Sequence, residues 1–436
     1  MAATFSRKTL LGIAVVVIVI IAAVVSYYWW TTQAPPEVKP IKIALIPPLT
    51  GPAARTGKEL QDGVLFAYDD LKAAGKIPIE IDGVMRDIEF MWLDSKSDPE
   101  EAVKAYEDAI VRGEADILGW NWHSSVAMAL YKISTRYNKI HWADMGETQY
   151  LCYAREENPE ESKYWFKCWA CPPHYGSLFP PALVDAMEDI GYTPRNKIAA
   201  MLAEDTDYGI AMAEAVIDSL EEQGWTVAYY DRFTLSPPET EFSPVIAKYK
   251  EADVSLAYLV STSMPSTVAF IKQTSEAELQ ALRGVFGIGW FSVDEWYPAL
   301  GETSDYVLAM DACYMTTNEQ REWADRFKEK YGYEPSVVVA GFWGYDLFTA
   351  LVEALNEAKT LNPDVLRSTL LDMVYHGLFM TVDISAESIP GVAHYMEIKA
   401  GREGFFFPLV QYKNGEYKII WPEDIATADL EIPPGL

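Results

Sequence analysis

From Ile41 onward the sequence alternates short apolar runs with longer segments whose apolar residues recur at helical spacing, and it does so twice. The run IKIALIPP reads as a short buried strand, and residues 57–74 then place Leu60, Val64, Ala67, Tyr68 and Leu71 on one helical face. IEFMWLDS is the next strand. DPEEAVKAYEDAIVRG follows as a helix with Asp98 as N-cap, Pro99 in its first turn and Gly113 at its end. ADILGW, SSVAMALYKISTRY and IHWADMG continue the series as strand, helix and strand. After an irregular middle it resumes: NKIAAMLAE, TVAYYDRF and VSLAYLV read as strands, separated by the helical segments GIAMAEAVIDSLEEQG and FSPVIAKYKEA. Alternation of this kind produces parallel sheets flanked by helices, and two series predict two similar α/β lobes. In open sheets of this type ligands sit beyond the carboxyl ends of the strands.

The first residues are different material. From Thr9 to Ala34 no charged residue occurs, and the stretch is long enough to cross a hydrocarbon core of roughly 30 Å as a helix. Arg7 and Lys8 precede it, and Tyr27, Tyr28, Trp29 and Trp30 follow as an interfacial aromatic belt. A poorly formed cleavage site favours an uncleaved membrane anchor over residues 1–30, with a cleaved export signal as the alternative; both place the bulk of the chain outside the cytoplasm. TTQAPPEVKP, residues 31–40, reads as a proline-rich tether. A net charge of −29 argues against nucleic acid as a partner.

Four cysteines, Cys152, Cys168, Cys171 and Cys313, suit an oxidising compartment, where structural disulfides are expected without a pairing being fixed. Buried thiols are the alternative. Cys168-Trp-Ala-Cys171 has the spacing of a redox or metal motif, yet no second short-spaced ligand pair accompanies it, so no metal site is expected.

Two nucleotide motifs fail on inspection. GPAARTGKE separates its glycines by five residues and has Glu59 where a phosphate loop needs Ser or Thr, and GVFGIG has its glycines in the wrong order for a dinucleotide fingerprint. No cofactor is therefore expected. In GWNWHSSVAMA, His123 beside Ser124 suggests a base and its nucleophile, with His141 as a second candidate base. Sequence neighbours point apart, however, and no Gly-x-Ser-x-Gly elbow exists. The stretch fits better as a strand-to-helix turn in which Ser124 and Ser125 either hold an anionic group or simply cap the helix, with Trp120 and Trp122 as pocket walls or core fillers.

The blocks IKIALIPPLTGPAARTGKELQDGVLFAYDDLKAAG, LDSKSDPEEAVKAYEDAI, ILGW..SSVAMAL and AEDTDYGIAMAEAVIDSLEEQGW, in this order, resemble the type I periplasmic solute-binding proteins of ABC transporters, specifically the branched-chain amino acid and amide group. The similarity runs from Ile41 to Trp421. It implies two Rossmann-like lobes joined by three crossings and closing around a small ligand. Lobe 1 would comprise 41–162 and 314–378, lobe 2 163–313 and 379–436. It also implies a binding protein rather than an enzyme, delivering a small polar solute to ABC permease subunits; a ligand-binding sensor or cell-surface component with the same fold is the alternative.

Residue by residue, the resemblance places Ser124 and Ser125 at the ligand carboxylate, although the loop after Gly119 is longer than usual and an ungapped count puts His123 there. Gly146 and Thr148 match positions that face the ligand amino group, and Tyr208 matches the tyrosine that closes from the second lobe. The acid expected to pair with an ammonium is replaced by Gly289 or Trp290, with Asp294 and Glu295 further on and Glu147 as a substitute. Aromatics usual near Thr56 and Ser263 are missing, while Trp120, Trp122 and Trp290 offer a different aromatic wall.

Overall fold

The computed structural model describes residues 7–32, 38–169, 171–286, 295–310, 315, 317–384 and 407–436. The chain divides into two units, one up to Pro40 and one from Ile41 to Leu436. The first contains a single helix, Arg7–Thr32, whose 26 residues give it a length of about 39 Å.

The second unit is built on two sheets. In the first, β1 (Ile41–Leu45), β2 (Ile88–Trp92), β3 (Ile117–Gly119), β4 (Ile140–Asp144) and β5 (Trp165–Lys167) lie in the order β2-β1-β3-β4-β5. Every pair is parallel, with Ile41 beside Ile88, Ile43 beside Ile117, Gly119 beside Trp142 and His141 beside Trp165. β3 and β4 are buried along their whole length, as strands covered on both faces must be.

The second sheet repeats the plan. β6 (Ile198–Glu204), β7 (Thr226–Phe233), β8 (Leu256–Val260), β9 (Leu282–Phe286) and β10 (Val307–Met310) are parallel in the order β7-β6-β8-β9-β10. β11 (Leu409–Lys413) and β12 (Glu416–Trp421) extend it antiparallel beside β10. The edge strand β7 alternates exposed and half-buried residues, whereas the interior β8 is a continuous buried run LAYLV. Both sheets thus share one strand order, and in each the order reverses between the first strand and the third. At such a reversal the connections leave in opposite directions and open a crevice.

The chain leaves the first sheet after β5, and after β10 it makes a middle excursion before re-entering the second sheet at β11. On the middle excursion Val337–Asp346 forms a π-helix that runs directly into the helix Leu347–Ala358. The combined segment is apolar enough to cross a membrane by composition, but most of it is buried within the folded unit, so it is a core helix. It packs on the helix Ala54–Ala73 at Gly63, where a Cβ would collide with the backbone of Ala340. One apolar cluster runs from Ile41 and Leu45 through Trp120, Trp169, Tyr175 and Trp343 to Met310 and Phe407, so the inner faces of both sheets share a core. Separate clusters around Tyr106 and Phe270 cover their outer faces.

With β5 added in the middle that read as irregular, the alternation in the sequence yields the expected architecture up to VSLAYLV. Beyond it the structure adds β9 to β12 and the π-helix, elements that no periodicity in the sequence singled out.

Candidate functional site

The carboxyl ends of β3 and β4 bring two loops together. β3 stops at Gly119, where any side chain would run into the carbonyl of Trp142 across the sheet. Trp120 then turns left-handed at φ 56°, a conformation that costs a bulky residue of the order of 1 kcal/mol and persists because its ring is locked. The lock is a buried indole N–H donating to the carbonyl of Trp343 at 3.0 Å. Trp343 Nε1 returns a bond to Ala143 O at 2.9 Å, and Trp142 Nε1 donates to Leu347 O at 2.8 Å. Trp120 thus lies in the core beneath the crevice. Trp122, 7% exposed, faces the Trp343 ring at 4.9 Å with the planes tilted by 41°.

His123 is buried, its Nε2 2.9 Å from Ser97 Oγ, and burial pulls its pKa down to about 4. It is neutral at ordinary pH. Ser124 opens the helix Ser124–Leu130, and its Oγ accepts the backbone N–H groups of Glu147 at 2.9 Å and Thr148 at 3.1 Å. The serine of one candidate loop therefore shapes the other.

That second loop, Met145 to Thr148, is fixed from below by Asp144. One carboxylate oxygen accepts Gly146 N–H at 2.7 Å; the other accepts Trp165 Nε1 at 3.0 Å and Asn121 Nδ2 at 3.4 Å. His141 Nε2 lies 3.0 Å from the same carboxylate, and Tyr106 OH meets its Nδ1, all in the fully buried interior. Burial, then the charge of Asp144, drives the Tyr106 hydroxyl well above its usual range. Gly146 has no room for a side chain between Ala127 and Asp144. Glu147 is 4% exposed and its carboxylate accepts the Tyr175 hydroxyl. Thr148 caps the helix Gln149–Glu157 through its Oγ1.

The corresponding edge of the second sheet carries a buried acid. Glu204, the last residue of β6, accepts Thr262 N–H at 2.6 Å and Thr262 Oγ1 at 2.8 Å on one oxygen and Thr206 Oγ1 at 2.8 Å on the other. Burial raises its pKa against the lowering effect of these bonds. Thr206 caps the helix Asp207–Glu222, which presents Tyr208, 4% exposed.

Among the described residues three hydrogen bonds join the two edges. Ser125 Oγ accepts Asp207 N–H at 3.4 Å, Tyr150 OH donates to Glu214 Oε2 at 3.3 Å, and Arg55 Nε donates to Glu295 Oε2 at 3.3 Å. Arg55 also pairs at 2.7 Å with buried Glu59. Beside it opens a cleft of about 460 Å³ lined by Pro52, Ala54 and Thr56 from one side and Met264, Val268 and Ala299 from the other.

Of the residues singled out in the sequence, His123, Ser124, Gly146, Glu147 and Thr148 converge on the first edge. Ser125 meets the backbone of Asp207, the neighbour of Tyr208, across the gap, Trp122 flanks the turn, and Trp120 sits in the core below. Trp290, Gly289, Asp294 and Cys313 lie outside the described residues. Among the described residues no hydrolytic constellation forms: the Ser124 oxygen serves two backbone N–H groups, His123 is engaged with Ser97, and His141 with Asp144 and Tyr106. Sequence reasoning missed Asp144, Glu204, Tyr175 and Trp343. A signal for the two acids was present, since each stands as the last residue of an apolar strand run.

Comparison with known proteins agrees with this architecture. Residues 40–397 match the family model described as periplasmic binding protein. A leucine-, isoleucine-, valine-, threonine- and alanine-binding protein of Pseudomonas aeruginosa is 24% identical over 341 residues, 76% of this chain and 82% of its own. A Silicibacter pomeroyi structure described as a candidate branched-chain amino acid ABC transporter superposes with a TM-score of 0.73 at 19% identity, covering 91% of this chain and 99% of that one. An ABC transporter solute-binding protein from R. palustris, solved with benzoate, gives 0.68 at 20% identity, covering 91% of this chain and all 100% of the other.

Proposed function

The chain belongs to the periplasmic binding protein family, and from that premise we propose that it captures a small amino-acid-like carboxylate between the facing edges of its two sheets. It is an extracytoplasmic solute-binding receptor of the kind that serves ABC importers, a family of binding proteins rather than enzymes. The observation that carries the ligand reading is the bond from Glu147 N–H to Ser124 Oγ, which fuses the loops after β3 and β4, next to the strand-order reversal at β1 and β3, into one surface.

On this reading the ligand lies against the loops 120–125 and 145–148, with Ser125 and the backbone around Ser124 toward its carboxylate. Glu147, Gly146 and Thr148 take its amino group, and Tyr208 closes from the other side. Lobes of 41–167 with 314–378 and 168–313 with 379–436 hinge at the three crossings, the first boundary lying after Lys167 and not at 162/163 as the sequence suggested, because Trp165–Lys167 pairs with β4 in the first sheet. Contacts available only in the closed form shift the equilibrium toward it, and a permease reads that form. The helix Arg7–Thr32 anchors the receptor, its basic pair on the cytoplasmic side.

A second ligand class has its own support. The Trp122–Trp343 pair and the largely apolar 460 Å³ cleft suit a flat aromatic acid such as benzoate, which carries no ammonium to be paired. Mass spectrometry of whatever co-purifies with the native protein, followed by calorimetry with leucine and with benzoate, separates the two. Binding of leucine supports the first, binding of benzoate alone replaces it with the second, and turnover of either ligand overturns the receptor reading.

A further inference from the structure

We propose that Cys152 and Cys171 are joined by a disulfide in the exported protein, and that this bond clips the helix leading out of the ligand loop to the segment that carries Tyr175. The two sulfurs lie 2.9 Å apart, each residue about 5% exposed and in contact chiefly with the other. A small rotation of either side chain brings them to the covalent distance of about 2.05 Å. Cys168, the other half of the Cys-Trp-Ala-Cys motif, points its sulfur toward Phe166 O at 3.8 Å. The motif is therefore split: Cys171 pairs outside it.

The placement gives the bond a purpose. Cys152 lies in the helix Gln149–Glu157, which starts at the cap Thr148 and so continues directly from Gly146 and Glu147. Cys171 precedes the short helix Pro172–Tyr175, whose Tyr175 donates to the Glu147 carboxylate. A covalent link between them closes a ring of chain through β5 and holds Glu147 from both ends, at the point where the chain first leaves the first sheet for the second. The family's extracytoplasmic location supplies a compartment in which such a bond persists.

The chemistry needs a disulfide oxidant of the thiol-exchange class. Either cysteine can react first and both orders give the same bond, as the steps beginning at Cys171 illustrate. Its thiolate attacks one oxidant sulfur and expels the other as a thiolate. Cys152 then gives up its proton, and its thiolate attacks Cys171 Sγ and expels the remaining oxidant sulfur. Two thiols are oxidised by two electrons, the oxidant becomes a dithiol, and the two protons pass to it. Native burial of both sulfurs means that the exchange accompanies folding.

The full chain, expressed with export and purified without reductant, is denatured in an alkylating reagent, digested and mapped by mass spectrometry. A cross-linked peptide containing Cys152 and Cys171 is the expected result. Alkylation of Cys152 without prior reduction, or a Cys168–Cys171 cross-link, would overturn the proposal. Independently of any variant, reductant should lower the melting temperature of the wild-type protein by about 5 °C. The C152S/C171S double variant should melt at the reduced value and ignore reductant; an unchanged melt on reducing the wild type also rejects the bond. Neither readout involves a ligand, so the outcome is separate from that of the ligand assignment.

Discussion

Ser124 Oγ stands 2.9 Å from the backbone nitrogen of Glu147 and accepts its hydrogen bond, so the loop after β3 and the loop after β4 share one oxygen atom. Thr148 N–H uses the same oxygen at 3.1 Å. Ser124→Ala leaves two buried N–H groups without their acceptor and is expected to cost about 1–3 kcal/mol in urea denaturation. It should weaken ligand binding with it. Ser125→Ala, whose single bond is long, should stay within about 0.5 kcal/mol in stability. Equal stability of the two variants would show that the shared oxygen holds nothing together.

His123 makes stability depend on pH. Its folded pKa of about 4 lies below the usual histidine value, so the unfolded chain binds the proton first. The folded state is at full advantage above about pH 6.5 and loses roughly 3 kcal/mol as pH falls toward 4. Subtracting the stability profile of His123→Asn from that of the wild type isolates this slope. A flat difference between pH 6.5 and 4 would mean that the imidazole is not buried.

Asp144 is surrounded by donors from Gly146, Trp165 and Asn121, with His141 at 3.0 Å. Asp144→Asn keeps the size of the side chain but turns one acceptor into a donor facing donors. About 3 kcal/mol of destabilisation is expected, together with loss of ligand binding, because the Gly146 turn loses its support. Retained affinity at reduced stability would separate the scaffold from the site.

Arg55 links buried Glu59 to exposed Glu295 on the far side of the cleft. Removing the cation with Arg55→Ala strands Glu59 in the interior and should cost about 3 kcal/mol. Glu295→Ala should cost between 0 and about 1 kcal/mol, as an exposed pair does. Denaturation of both proteins in parallel tests this asymmetry; similar losses would contradict it.

Tyr208 tests the second side of the site. Tyr208→Ala should raise the dissociation constant at least tenfold, about 1.4 kcal/mol, in the calorimetric titration that identifies the ligand. Unchanged affinity would remove the second-sheet edge from the binding surface.

Much of the fold was legible because parallel strands covered on both faces must be apolar throughout and the helices between them must be apolar on one side. IKIAL, IHWAD and LAYLV could be read as strands for that reason. The candidate site was only partly legible. Ser124 was visible as a hydroxyl at a strand-to-helix turn, but nothing local indicated that its oxygen would be spent on Glu147 and Thr148. Trp120 and Trp122 looked alike in the sequence. One became core and the other a flank because Trp343, over 200 positions away, offers a carbonyl to the first and a ring face to the second.

The sequence by itself determined the architecture, two α/β series behind an apolar N-terminal helix, since periodicity and composition are local and each element carries its own pattern. Only the tertiary structure decided the partners: Cys171 with Cys152 instead of Cys168, Asp144 under the Gly146 turn, Glu204 with Thr262, Ser125 across to Asp207. Those choices depend on which strand ends the sheets bring together, and hydrogen-bond distance is set by that packing rather than by spacing along the chain.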